Sequence, residues 1–382
     1  MIEKPIKEIL GIMGITDFNS LLEFININSI QDIAFSIVRV LNFKKDISVQ
    51  DKIKTYLSSN IGCFKSQFVG CATIYDAIVD IKENLEEYRW LNGVLSDEDS
   101  KITLFYILLY RLTTDKYFLK MCYNASMQYF DTSIFKPRDN EVFIDCGAYD
   151  GTTTIDFIHT YGKYNKIYVY EPAPNNFFNV KQKLKEYDNI EYLNKATSDQ
   201  IGVCQFTSHM PDSANRINPL GDTIVEISTI DIDIKEPVTF IKMDIESAEP
   251  NALIGAKNHI LNDKPNLAVS VYHTVSDLWT IPRIIYEINP NQSFYLRQHQ
   301  EQIPEETVFY AAPVMTGESV LSIANRIDSI QELLTTINEG FNYTKQVLDE
   351  GNYEKATTML ADIKNALTSC GNSVDEILGN RD

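Results

Sequence analysis

Val142-Phe-Ile-Asp-Cys-Gly-Ala-Tyr-Asp-Gly151, followed by Thr152, Thr153 and Thr154, is the stretch on which the fold turns. An apolar strand runs into a glycine-containing turn, and a helical pattern follows. In a doubly wound α/β sheet, ligands bind outside the carboxyl ends of the strands. Glycine lets the backbone approach a ligand closely. Thr152 is placed to cap the helix, whose amide end also favours a carboxylate.

A dinucleotide fingerprint would read GxGxxG. Here Tyr149 holds the middle glycine position, and its bulk obstructs a pyrophosphate. Asp145 precedes the turn and Asp150 lies in it. Two carboxylates repel a pyrophosphate but suit a ligand carrying an ammonium and a sulfonium. S-adenosylmethionine carries both. Asp145, Gly147, Tyr149, Asp150, Gly151 and Thr152 are therefore the candidate cofactor residues. Ile167-Tyr-Val-Tyr-Glu171 adds a second strand ending in an acid, 20 residues after Gly151. That is the spacing at which a carboxylate takes ribose hydroxyls. Cys146, at a strand end, reads as packing rather than as a nucleophile.

Further along, Phe240-Ile-Lys-Met-Asp-Ile-Glu246-Ser-Ala-Glu249 places three acids just beyond another strand. Asp244 and Glu246 are candidates for chemistry, and Glu249 fits an acidic first helical turn. Lys242 inside an apolar strand needs a carboxylate partner. Leu267-Ala-Val-Ser-Val-Tyr-His273 ends a fourth strand at the same edge, so His273 joins Asp244 as a candidate base. His159 and His259 read as surface residues on helices. Arg297 and His299 close Tyr295-Leu-Arg-Gln-His299 and are candidate substrate contacts, with salt bridges as the alternative. Paired acids could hold a divalent cation, but the sequence establishes none and no metal site is assigned.

The remaining organisation follows from pattern. Residues 1–136 read as mostly helical, with Ile74, Ile78, Ile81 and Leu85 at helical spacing. Residues 137–312 alternate strands, near 141–146, 166–171, 190–196, 201–207, 223–230, 238–244, 266–272, 293–298 and 307–312, with helices near 152–162, 174–187, 249–261 and 277–288. That alternation predicts a mostly parallel, doubly wound sheet. The last two strands have no helix between them, so one is expected antiparallel. Residues 313–382 read as two helices broken near Gly351-Asn352. Ile323, Ile327, Ile330, Leu334, Ile337 and Phe341 form one heptad stripe. Ala356, Met359, Ile363, Ala366, Cys370, Val374 and Ile377 nearly repeat it. A helical hairpin with an apolar seam is expected, completed by the N-terminal helices, a second copy or a partner protein.

Composition narrows the class. The chain has 382 residues, 44% of them apolar, and a formal charge of −19. Such a surface repels phosphate backbones, so nucleic acid is a poor partner. The longest apolar run, Ile102–Tyr110, is far short of a membrane span. Met1-Ile-Glu-Lys-Pro5 lacks the pattern of a signal peptide. The six cysteines show no CxxC pair and no zinc spacing, which suits reduced thiols in the cytoplasm.

The span Phe143 to Tyr310 resembles FkbM-type methyltransferases. The matching stretches are FIDCGAYDG at 143–151, YEP at 170–172, FIKMDIESAE at 240–249, LIGA at 253–256, VYH at 271–273 and YLRQH at 295–299. The family has glycine where Ser247 stands, and a histidine beside the arginine where Gln298 stands. The resemblance implies a Rossmann-like class I fold that uses S-adenosylmethionine and commonly methylates hydroxyls of sugars or polyketide-type products. O-methylation of a sugar or secondary-metabolite hydroxyl is the leading expectation, with Asp244 or His273 as base and Glu246 orienting. N-methylation of an amino sugar or amino acid, and a non-catalytic scaffold, are the alternatives.

Overall fold

The computed structural model describes residues 10–11, 13–39, 48–65, 71–208, 215–314, 334–335, 337–350, 353, 355–364 and 367. Its contacts divide the chain into two units, Met1–Pro313 and Val314–Asp382.

The first unit opens with helices Phe18–Ile27, Ile30–Val38, Val49–Leu57, Ile74–Glu83, Leu85–Val94, Glu98–Thr113 and Lys116–Cys122. Local chemistry starts them. Thr73 and Asp76 form a capping box at Ile74, satisfying amides that a helix end leaves open. Ile74, Ile78 and Ile81 are buried along one face. Strands β1 (Asn60–Lys65) and β2 (Cys71–Thr73) pair antiparallel where helical periodicity alone predicts none.

The sheet that carries the site comprises β3 (Glu141–Cys146), β4 (Tyr164–Tyr170), β5 (Ile190–Leu193), β10 (Phe240–Met243), β11 (Asn266–Ser270), β12 (Gln292–Gln298) and β13 (Thr307–Pro313). Their order is β12-β13-β11-β10-β3-β4-β5. Counted along the chain from β3, this is 3-2-1-4-5-7-6 from the β5 edge. Six strands run in one direction, and β13 alone is reversed, antiparallel to both β11 and β12. One strand of the final pair is thus reversed, as its missing crossover helix requires. Chain order switches direction between β3 and β10, which opens a crevice at their carboxyl ends.

The strands expected at 201–207 and 223–230, and the end of the one at 190–196, do not join the main sheet. They instead build a second sheet, ordered β6 (Lys195–Thr197), β9 (Thr223–Ser228), β7 (Gly202–Thr207) and β8 (Arg216–Ile217). The expected helix at 249–261 is two helices, Glu249–Gly255 and Lys257–Asn262, meeting at Ala256. On one face of the main sheet Phe130, Phe143, Phe157, Tyr161 and Phe240 interlock, with Phe143 and Phe157 stacked at 4.1 Å. The other face shares its core with the N-terminal helices. Those helices also cover the open edge of β12. Ser96 N–H donates to the Phe294 carbonyl at 2.8 Å, and Asn124 N–H donates to that of Gln298 at 2.8 Å. An uncovered edge would expose unpaired donors and acceptors.

The second unit is helical over its described residues at 337–349 and 355–364. A Cβ on Gly340 would sit 3.3 Å from Ile363, and Lys355 Nζ donates to the Tyr343 hydroxyl at 3.1 Å. Position 340 thus faces 363 while 343 faces 355, an antiparallel pairing. Ile337, Thr344, Val347, Ala356 and Ile363 are buried, whereas Leu334 and Phe341 of the expected stripe are exposed. Ile323, Ile327, Ile330, Gly351, Asn352, Ala366, Cys370, Val374 and Ile377 lie outside the described residues.

Candidate functional site

The carboxyl ends of β3, β4, β10 and β11 meet at one edge of the main sheet. After β3 the chain turns through positive φ at Gly147, Tyr149 and Gly151. The amides of Gly147 and Ala148 donate to the Tyr170 carbonyl at 3.0 and 3.2 Å, which ties this turn to the end of β4. Glu171 follows β4 directly. Its carboxylate is buried and accepts the N–H groups of Tyr149 and Ala173, both at 2.9 Å. Burial pushes its pKa up to about 7, against the pull of those two amides.

Lys242 braces the turn from below. Its ammonium lies 3.1 Å from Asp145 Oδ1 and donates to the carbonyls of Cys146 and Gly147 at 3.2 and 2.8 Å. It also sits over the Tyr129 ring, 5.3 Å from the centroid. Burial disfavours the charge on Lys242, but Asp145 and then Asp244 outweigh it and raise the pKa. Thr154 donates to the other oxygen of Asp145 at 2.7 Å.

Opposite Glu171 stand Asp244, Glu246 and His273. Asp244 Oδ2 accepts the Tyr129 hydroxyl and Oδ1 the Tyr272 hydroxyl, each at 3.0 Å. His273 Nε2 is 3.2 Å from Asp244 and 3.7 Å from Glu246, and Nδ1 is 3.1 Å from Glu249. Burial works against a charged ring, yet Glu249 and Asp244 raise His273 well above its usual 6.5. Burial likewise opposes the Asp244 charge, but His273, Lys242 and Tyr129 hold it well below the usual carboxylate range. The pair thus favours a charged carboxylate on Asp244 and a charged ring on His273, so of the two expected bases Asp244 is the one whose charge state suits accepting a proton.

Between these groups lies a cavity of about 520 Å³, within the range of small-molecule sites. Gly147, Tyr149 and Glu171 line one side, and Asp244, Glu246 and His273 the other. The small sheet contributes Lys195, Phe206 and Ile217, and the β12–β13 connection contributes Ile303, Glu305 and Glu306.

The structure thus gathers Gly147, Tyr149, Glu171, Asp244, Glu246 and His273 around one cleft. Other expectations need correction. Asp145 is fully buried beneath the turn and paired with Lys242, not presented to a ligand. Gly151 is itself the N-cap and packs on Leu184. Thr152 does not cap its helix. Asp150 accepts the Thr152 N–H at 2.9 Å and pairs with Lys183 at 2.7 Å, outside the cleft. Arg297 is held by Asp97 at 2.6 Å and Ser100 at 2.7 Å, so the salt-bridge alternative applies. His299 accepts or donates at the Tyr310 hydroxyl, 2.7 Å away, and burial pushes it down to about 4. Neither lines the cavity. His259 is buried against Asp263 and the Ile234 carbonyl rather than surface-exposed.

Sequence reading missed Tyr129, Tyr272 and Glu306, and took Glu249 for a surface charge. Tyr272 adjoins His273 and was within reach of a strand-end argument. Tyr129 gives no local signal, because its partner Asp244 is 115 residues away.

The donor set discriminates between ligands. Glu171, Asp244 and Glu246 face the cleft, and Lys195 is already paired with Asp233 at 2.9 Å. Such a surface repels a pyrophosphate and attracts a sulfonium and an ammonium. Glu171 also keeps lone pairs free for ribose hydroxyls beyond the two backbone amides it accepts. The residues present fit S-adenosylmethionine.

Strand order, switch-point cleft and acidic strand ends are those of the class I methyltransferase fold. Residues 145–305 match the family model described as the methyltransferase FkbM domain. Among solved structures the chain is similar to a methyltransferase FkbM from Methylobacillus flagellatus, at 24% identity and a TM-score of 0.53. That match covers 72% of this chain and 65% of the other, so it spans less than two thirds of that protein. Likenesses to an rRNA methylase from Streptococcus thermophilus (14% identity, TM-score 0.32, 48% and 92% covered) and to Aeropyrum pernix fibrillarin with bound S-adenosyl-L-methionine (11%, 0.30, 46% and 67%) are too slight to carry an argument. No curated protein sequence matches.

Proposed function

We propose that this protein transfers a methyl group from S-adenosylmethionine to a hydroxyl of a sugar or of a glycan or secondary-metabolite precursor. The observation that carries the reading is the Asp244 carboxylate, which opens on the cleft across from Gly147 and Glu171 and whose charge is favoured by His273 and Lys242. When bound, the cofactor supplies an electrophilic methyl on a sulfonium sulfur. Glu171 holds the ribose, and the Gly147–Tyr149 turn seats the rest against the sheet edge. With the cofactor bound, an acceptor oxygen would bond to the methyl carbon as the carbon–sulfur bond broke, its electron pair going to sulfur. The hydroxyl proton becomes strongly acidic as the new bond forms, so a weakly basic carboxylate suffices to take it. Asp244 orients the hydroxyl and receives the proton, which then passes to solvent. Tyr129 and Tyr272 fix the carboxylate by donating to it.

A second reading is N-methylation of an amino sugar or amino acid. Asp244, Glu246, Glu305 and Glu306 would seat an ammonium on the acceptor side. The two readings separate by variant. For a hydroxyl acceptor, Asp244→Asn lowers turnover about 10²–10⁴-fold; for an amine the loss is much smaller. The acceptor itself is found by mass spectrometry of small glycoconjugates from cells with and without the gene. A one-methyl difference supports the reading, and methylation confined to non-glycan amines overturns it.

No single helix among the described residues is long and apolar enough to cross a membrane. Cys122, Cys146 and Cys204 are free thiols, which agrees with a cytoplasmic protein. The 314–382 helices are read as a docking element for a second copy or a pathway partner. Light scattering on the full chain and on a 318–382 deletion tests this, and a full-length monomer at micromolar concentration excludes the dimer.

A further inference from the structure

His273 is buried to 1% exposure and flanked by carboxylates, yet neither ring nitrogen makes an aligned hydrogen bond among the described residues. Asp244 lies 3.2 Å from Nε2 and Glu249 lies 3.1 Å from Nδ1, but off the N–H directions. Glu249 Oε2 is also buried without a hydrogen-bond partner. Three acid or imidazole groups thus converge at ion-pair distances with poor hydrogen-bond geometry. Buried polar groups are rarely left so, and each such group calls for a missing partner.

We propose that Asp244 and His273, with Glu249 as the carboxylate that orients the imidazole, form a binding site for one divalent transition-metal cation, at the floor of the methyl-transfer cleft. Each of the three offers a ligand atom within 4.8 Å of the others. Metal–ligand bonds of roughly 2.0–2.2 Å put neighbouring ligand atoms on the order of 3 Å apart. The 3.2 Å between Asp244 Oδ1 and His273 Nε2 agrees. Ligands of one cation also stand side by side, off one another's lone-pair axes, which is why their mutual hydrogen-bond angles are poor. An imidazole ligates through one nitrogen and directs the other to an orienting carboxylate. With Nε2 on the cation beside Asp244, Glu249 takes Nδ1–H. Glu246, 3.7 Å from Nε2, stands on the open side. Imidazole with carboxylates suits Mn²⁺, Fe²⁺ or Zn²⁺ better than Ca²⁺.

Binding displaces the imidazolium proton, since a ligating imidazole is neutral. Asp244, Glu246 and His273 all line the cavity, so free coordination positions face the acceptor. A hydroxyl placed there would be polarised and its pKa lowered. The inference concerns the same cleft as the proposed methyl transfer, but its test reads metal directly. Loss of one therefore does not imply loss of the other.

The test uses full-length protein stripped with EDTA and titrated with Mn²⁺ without S-adenosylmethionine, free Mn²⁺ being read by electron paramagnetic resonance. About one equivalent should bind per chain. His273→Ala and Asp244→Asn should each weaken binding at least tenfold, and Glu249→Gln about 10–100-fold as for an orienting partner. His273→Gln serves if the alanine variant fails to fold, as judged by circular dichroism. Glu186→Gln, an exposed position away from the cleft, should bind as wild type. Folded wild-type protein that leaves the Mn²⁺ signal at its buffer value up to millimolar metal overturns the proposal. So does one equivalent bound equally well by the folded His273 and Asp244 variants, because the cation then lies elsewhere.

Discussion

Gly147 packs against the backbone of Asp244 so closely that a Cβ on it would lie 2.1 Å from the Asp244 carbonyl oxygen. The turn after β3 and the acidic loop after β10 are 97 positions apart in sequence and in direct contact at the switch point. Each strand end is positioned by the other. The cofactor side and the acceptor side of the cleft are in this sense one piece of backbone.

Gly147→Ala should therefore damage both sides. The φ of +78° at this position already disfavours a side chain, and the obstruction is backbone that cannot rotate away. We expect a lower melting temperature and loss of cofactor affinity by tenfold or more. Gly151→Ala, whose Cβ would meet only Leu184 at 3.4 Å, should be milder. Calorimetry and thermal melts on both variants check this. A Gly147→Ala protein that melts and binds as wild type would show that the two loops adjust independently.

Glu171 should make cofactor affinity pH-dependent. Its carboxyl group titrates at about 7 because it is buried. Only the ionised form accepts both ribose hydroxyls, so affinity should rise between pH 6 and 8. Glu171→Gln should flatten that profile and lower affinity about tenfold to a hundredfold above pH 7. The stability of the free protein should move oppositely. A carboxyl raised above its unfolded value of about 4.5 holds its proton longer in the folded state, so stability declines as pH rises from there towards 7. Isothermal titration and melts across that range test both signs together.

Tyr129→Phe should slow turnover while leaving folding and cofactor binding nearly intact. The hydroxyl donates to Asp244 at 3.0 Å, and a bond to a charged group contributes roughly 1.5–3 kcal/mol. That corresponds to about a tenfold to hundredfold loss of rate if the bond positions Asp244 in the transition state. Steady-state kinetics would show it in kcat. An effect confined to the melting temperature would reduce Tyr129 to a packing role.

Arg297→Ala should act on stability rather than on the acceptor. The guanidinium pairs with Asp97 and Ser100 from the N-terminal helices. Leaving a buried ion pair half-made costs roughly 3–5 kcal/mol. Asp97 is 34% exposed, so about 1–3 kcal/mol is the better expectation. A depressed melting temperature with an unchanged acceptor KM is predicted. A raised KM at wild-type stability would return Arg297 to the substrate side.

Much of the frame was legible because it is local. Alternating short apolar runs and amphipathic segments define parallel strands and crossover helices. In a parallel sheet every such strand ends at the same edge, which placed Glu171, Asp244, Glu246 and His273 together before any coordinates. Lys242 in an apolar strand demanded a buried acid, and Asp145 on the adjacent strand is that acid. What escaped was non-local. Tyr129 comes from an irregular connection and has no periodicity to betray it. Asp97 and Arg297 are 200 residues apart. Strands 195–228 read as part of the main alternation because period two marks a strand without naming its sheet. Glu249 read as a helix-start charge, and it is one; only packing buries it against His273. Sequence alone therefore determined which residues end strands and on which edge. Tertiary structure decided which of them face the cleft and which lie beneath it. The reason is that strand periodicity constrains a side chain's face and edge, whereas burial, charge pairing and protonation depend on neighbours that arrive from elsewhere in the chain.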